Sequence, residues 1–198
     1  MDPFHDLLEG ILHFPFAILV PIVSIAIVVV LLLHGLFAVS TRRKRDLSNR
    51  RGIWASLVYV AFGVVTAFLA ATSFGSILTQ GKMDHQALYF HVMAAGAFTA
   101  IMVLFAYSWN PAFGRPIARG ADFQDNSTNG WWLARWSLWV VLLSSLGVAA
   151  SMLFGMLPLF DTQQMLVSVA FHRYCGLLLV VGLIVHLYSL AIQRLGWR

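Results

Sequence analysis

Residues 171–194 read FHRYCGLLLVVGLIVHLYSLAIQR, an apolar helical run that carries two histidines, and the rest of the chain is read outward from it. His172 and His186 are fourteen residues apart. At about 100° and 1.5 Å per residue, that spacing closes to within roughly 40° of whole turns and separates the rings by about 21 Å. Both imidazoles therefore share one face of a helix, one toward each side of a bilayer. Gly176 follows His172 by one turn and Gly182 precedes His186 by one turn. The same face thus offers patches without side chains, where a flat group could lie against the backbone.

The setting is a membrane. The chain of 198 residues is 60% hydrophobic and only 11% charged, and its mean hydropathy is +0.80. Its charges fall in clusters between apolar runs of about 20 residues, the length that crosses a hydrocarbon core. The expected fold is all-α: a single domain over 1–198, a polytopic membrane bundle with five transmembrane helices. The spans are expected at about 14–39, 53–77, 87–107, 132–157 and 166–192. The net charge of +5 does not point to nucleic acid, because nearly all of the basic residues flank apolar spans and follow membrane topology.

Charge placement also orients the spans. The cluster Arg42, Arg43, Lys44, Arg45, Arg50 and Arg51 follows the first span, and Arg115 and Arg119 lie in the longest polar segment. Keeping these inside places eleven of the thirteen basic residues on the cytoplasmic side, with Lys82 and Arg173 outside. The N-terminus is then outside and the C-terminus cytoplasmic. Trp131, Trp132, Trp136 and Trp139 form an aromatic belt at the inner interface. The first twelve residues have neither a basic n-region nor a small-residue cleavage site, so a removable signal peptide is not expected. Asn126-Ser127-Thr128 matches a glycosylation acceptor but falls on the cytoplasmic side. Cys175, the single cysteine, reads as a small buried hydrophobe.

Depth pairs the histidines. His34 lies eight residues before Arg42 and His186 eight before Arg194, about 12 Å inside the same boundary. His91 and His172 both sit a few residues into helices that enter from the outer side. His13 and His85 are alternatives to His91 as the outer partner, and His5 reads as interfacial. A zinc ion would need its ligands gathered around one point, which two groups about 21 Å apart on one helix cannot provide. No acidic residue lies at the centre of a span, as a proton relay would require. Imidazoles on both faces of an iron give a b-type haem suited to electron transfer. The expected cofactors are two b haems, an outer one on His91 and His172 and an inner one on His34 and His186. Arg173 is placed either for a propionate or as an interfacial arginine that snorkels to the boundary, and covalent attachment is excluded because no CxxCH occurs.

On these residues the chain resembles the dihaem b-type cytochrome membrane subunits of the cytochrome b561-like superfamily, such as those of formate dehydrogenase and nickel-iron hydrogenase. The resemblance runs from the His91 helix through His186, and the paired histidines are its most specific part. It implies a bacterial inner-membrane subunit passing electrons between a redox partner subunit and a quinone pool. The family's inner ligand lies near the start of the first of four helices, whereas here His34 ends an extra span and the second span has no histidine. The five-span arrangement also resembles nitrate-reductase gamma subunits, though less closely. Two other readings stand beside this one: a cofactor-free assembly subunit with histidines bonded across helices, and a stand-alone oxidoreductase acting on superoxide or metals.

Overall fold

A computed structural model describes residues 15–40, 53–109, 129–157 and 160–195. It is helical throughout these segments: α1 is Phe16–Ser40, α2 Ile53–Ala70, α3 Ser76–Gln80, α4 His85–Trp109, α5 Asn129–Gly155 and α6 Thr162–Leu195. A π-helical turn, Ala71–Gly75, joins α2 to α3, so these three pieces make one continuous rod. Five stretches are long and apolar enough to cross a membrane: Phe16–Phe37, Ser56–Gln80, His85–Ser108, Trp132–Gly155 and Thr162–Ile192. The last helix begins four residues before its expected start, because polar Thr162, Gln163 and Gln164 form its first turn.

Local chemistry sets the turns between spans. Gly81 takes a left-handed φ of 72° and donates its N–H to the Ile77 carbonyl, ending α3. Three residues later the Asp84 carboxylate accepts from the Ala87 N–H at 2.7 Å and opens α4. Glycine past one helix and an acidic N-cap before the next make a tight antiparallel connection. At α6 the N-cap is reciprocal. Asp161 accepts from the Gln164 N–H at 2.8 Å, while the Gln164 side chain accepts from the Asp161 N–H at 3.2 Å, which satisfies two orphan donors at once.

Two helical hairpins result. α5 and α6 pack along their whole length and α2 packs on α4, whereas contact between the hairpins is sparser. The hairpins share a core of Phe62, Phe98, Phe105, Leu138, Val141, Leu179 and Leu183. Phe62 and Phe105 stack with ring centres 4.2 Å apart and planes 10° apart, and Tyr59 continues the stack at 5.9 Å from Phe105. α1 lies outside the hairpins. Phe16 and Val20 seat on Leu177, and further along the helix His34 reaches Tyr188. Both sequences advance together, so α1 runs parallel to α6, as the first and fifth of five successive spans must. Most of its remaining side chains point away from the bundle, toward what would be lipid.

The α5–α6 contact has a regular register. Ser137, Ser144 and Ser151 recur every seven residues on α5, and His172, Leu179 and His186 do so on α6. Ser151 meets His172 and Ser137 meets His186, which fixes an antiparallel pairing. Small residues allow the close approach that helices in lipid rely on. A Cβ on Gly182 would lie 3.0 Å from Val140 Cγ1 and 3.3 Å from Val141 Cγ2. A Cβ on Gly147 would lie 2.8 Å from the Cys175 sulfur.

Candidate functional site

His91 projects from the second turn of α4 and His172 from the third turn of α6, each half-buried. Their ring centres are 6.4 Å apart and their planes 76° apart. One imidazole from each hairpin thus meets the other across the gap.

The Nδ1 atom of each ring has hydrogen-bond partners in the protein. His91 Nδ1 lies 3.0 Å from the Thr72 hydroxyl. That hydroxyl has one proton, which it gives to the carbonyls of Phe68 and Leu69 at 3.0 and 3.1 Å. With its proton on a carbonyl, Thr72 accepts from a protonated His91 Nδ1. His172 obeys the same logic. Its Nδ1 is 3.0 Å from Ser151 Oγ and 3.2 Å from the Val148 carbonyl. Ser151 donates to that carbonyl at 2.8 Å, and a carbonyl can only accept. On both rings the Nδ1–H is committed outward, so Nε2 keeps its lone pair. A histidine whose other nitrogen donates to the protein is the form in which histidine binds metals.

Thr72 owes its position to the π-helical turn, whose extra residue re-aims the side chains around it. Ser151 owes its position to the heptad register of α5. Neither residue was among the sequence candidates. The signal for Ser151 was there to be read, because Ser137 and Ser151 repeat the fourteen-residue spacing of the two histidines.

The expected inner pair is not brought together. His34 is exposed on α1 and its Nδ1 lies 2.7 Å from the Tyr188 hydroxyl. Tyr188 and His186 are two residues apart, about 200° around the helix, so His34 meets the opposite side of α6 from His186. His186 is only 3% exposed. Its Nδ1 donates to the Ala134 carbonyl at 3.1 Å and to Ser137 Oγ at 3.0 Å. Its ring lies 6.1 Å from that of Tyr59. On α4 the residue fourteen after His91 is Phe105, fully buried. At the level of His186 the space between the hairpins is therefore occupied by the aromatic stack.

The glycines divide in the same way. A Cβ on Gly176, one turn from His172, would meet nothing within 4 Å, whereas the valines of α5 close over Gly182. Gly182 thus serves helix packing and does not offer the open patch expected of it. Arg173 is exposed beside His172. His85 opens α4 in an exposed position, while His5 and His13 lie outside the described residues. Among the described residues no three His, Cys, Asp or Glu side chains gather as a metal cluster.

The chemistry of the His91 and His172 donor set would suit a haem. His91 and His172 are the residues that would hold its iron, and their ring centres are 6.4 Å apart. The ring separation, the committed Nδ1 atoms and the bare backbone at Gly176 are each consistent with this. Comparisons with protein-family models, with curated proteins and with solved structures find no match for the chain.

Proposed function

We propose that the chain is a transmembrane electron-transfer subunit in which His91 and His172 would hold one b-type haem between the hairpins. The observation that carries this reading is the 6.4 Å ring separation between two half-buried histidines whose Nδ1 atoms are both committed to protein acceptors. When bound, the haem would supply one-electron chemistry. The protein's own residues do the rest. Thr72, Ser151 and the Val148 carbonyl hold the two rings in the ligating tautomer, Gly176 leaves the backbone bare beside them, and Arg173 is placed to pair with a propionate. The same reading takes a redox partner subunit and a membrane quinone as the exchange partners, keeps the basic loops cytoplasmic, and locates the chain in a bacterial inner membrane. Of the two haems expected from the sequence, only the outer one is proposed, because His34 and His186 face different sides of α6. His186 shares the Nδ1 bonding of His172, but the ring it meets across the bundle is that of Tyr59, 6.1 Å away, and not a second histidine.

The test is a reduced-minus-oxidised spectrum of the purified protein with a pyridine haemochrome assay. One b haem per chain is expected. Absence of haem after expression with ample haem supply would leave the cofactor-free assembly subunit as the better reading.

Thr72 is a positioning residue, and its effect can be measured separately. Replacing it with valine removes the hydroxyl acceptor from His91 Nδ1, makes the imidazole a weaker donor and favours the ferrous form. Thr72→Val is expected to raise the midpoint potential and to weaken haem binding by about tenfold, while Thr72→Ser retains both. Ser151→Ala is expected to do less, since the Val148 carbonyl still accepts from His172. An unchanged potential in Thr72→Val would remove Thr72 from this role.

A further inference from the structure

Arg135 lies in the second turn of α5, three residues inside the apolar stretch that begins at Trp132. It is exposed, and no ion pair to it occurs among the described residues. An arginine inside a span is costly unless its charge is matched. Trp132, Trp136, Trp139 and Leu143 recur at helical spacing beside it, and with Arg135 they line a shallow cavity of about 450 Å³. Trp132 and Trp136 are 64% and 56% exposed.

The orientation of this stripe is set by the other side of the helix. Ala134, Ser137, Leu138, Val141 and Ser145 are buried in the bundle, and they centre about 170° around the helix from the tryptophans. The stripe therefore faces away from the bundle. From Trp132 to Leu143 it rises about 16 Å, close to the depth of one leaflet's hydrocarbon, about 15 Å. It is a groove of one-leaflet length, with a cation at the end nearer the boundary and aromatic and aliphatic walls below.

We propose that this face of α5 is a binding site for one anionic phospholipid. The Arg135 guanidinium takes the phosphodiester as a two-pronged donor, indole N–H groups at the same level add donors, and an acyl chain lies along Trp136, Trp139 and Leu143. An anionic headgroup is favoured over a zwitterionic one because the latter brings its own ammonium to compete with the arginine. The site is independent of the histidines and does not rest on the haem reading.

The experiment uses the full chain reconstituted in phosphatidylcholine vesicles, with either brominated phosphatidylglycerol or brominated phosphatidylcholine titrated in. Bromine quenches nearby tryptophan fluorescence, and the share from this site is obtained by difference with a Trp132→Phe, Trp136→Phe, Trp139→Phe variant. Half-quenching is expected at about fivefold lower mole fraction of the anionic lipid. Arg135→Gln is expected to erase that preference, and Arg135→Lys, a charge without the fork, to keep part of it. Equal quenching by both lipids in the unmodified protein would overturn the proposal, whether or not the variants fold. So would an undiminished preference in Arg135→Gln, which would assign it to other basic residues. Protection of these tryptophans from both lipids would also overturn it, and would mark the face as covered by another helix or a second copy.

Discussion

His172→Gly is expected to abolish the haem spectrum, and added imidazole is expected to restore it. The ring it removes is half-buried, bonded to Ser151 and the Val148 carbonyl, and set 6.4 Å from His91. Loss of an axial ligand should weaken binding by more than the roughly 10–100-fold that follows loss of a ligand's hydrogen-bond partner. Rescue by imidazole separates a lost ligand from a lost fold, because imidazole cannot repair a misfolded bundle. His91→Gly is expected to behave in the same way. The other two histidines give the contrast. His34→Ala should retain the haem, since His34 is exposed and its partner is Tyr188. His186→Ala should also retain it but lower stability by about 2–4 kcal/mol, the cost of a cavity at a buried site, measured as a lower unfolding temperature in detergent. Haem loss in His34→Ala or His186→Ala, with retention in His172→Gly, would overturn the assignment.

This contrast shows where the sequence was legible. Apolar length and charge clusters carried the all-helical fold and its five helices long and apolar enough to cross a membrane, because in lipid a helix must satisfy its own backbone and little else competes. The fourteen-residue spacing gave His172 and His186 a common face, and depth gave His91 the same level as His172. Depth alone could not tell which side of α6 a neighbouring helix would approach. His34 has the depth of His186, yet α1 packs parallel to α6 on the Tyr188 side. Phe105, level with His186 on the second hairpin, was legible only once α4 was known to face α6. The π-helical turn at Ala71–Gly75 was beyond the reach of periodicity, since one extra residue shifts the face by about 100°, and it is what brings Thr72 to His91.

The two glycines of α6 that the sequence treated alike are expected to respond oppositely to the same substitution. At Gly182 an alanine Cβ would sit 3.0 Å from Val140 Cγ1 and 3.3 Å from Val141 Cγ2. Valine is held in one rotamer in a helix, so neither methyl can turn aside and α5 and α6 must separate. Overpacking of this kind costs about 1–3 kcal/mol. Gly182→Leu should cost more, and it falls in the register that joins Ser137 to His186 and Ser151 to His172. At Gly176 a Cβ meets nothing within 4 Å, so Gly176→Ala is expected to gain about 0.5–1 kcal/mol from helix propensity. Gly176→Leu should not lower the unfolding temperature of the haem-free protein, yet should weaken haem binding, because the added side chain would cover the bare backbone beside His172. Thermal melts with and without haem read the two effects separately. Destabilisation of the haem-free protein by Gly176→Leu would make Gly176 a packing glycine like Gly182 and remove one of the features on which the haem assignment rests.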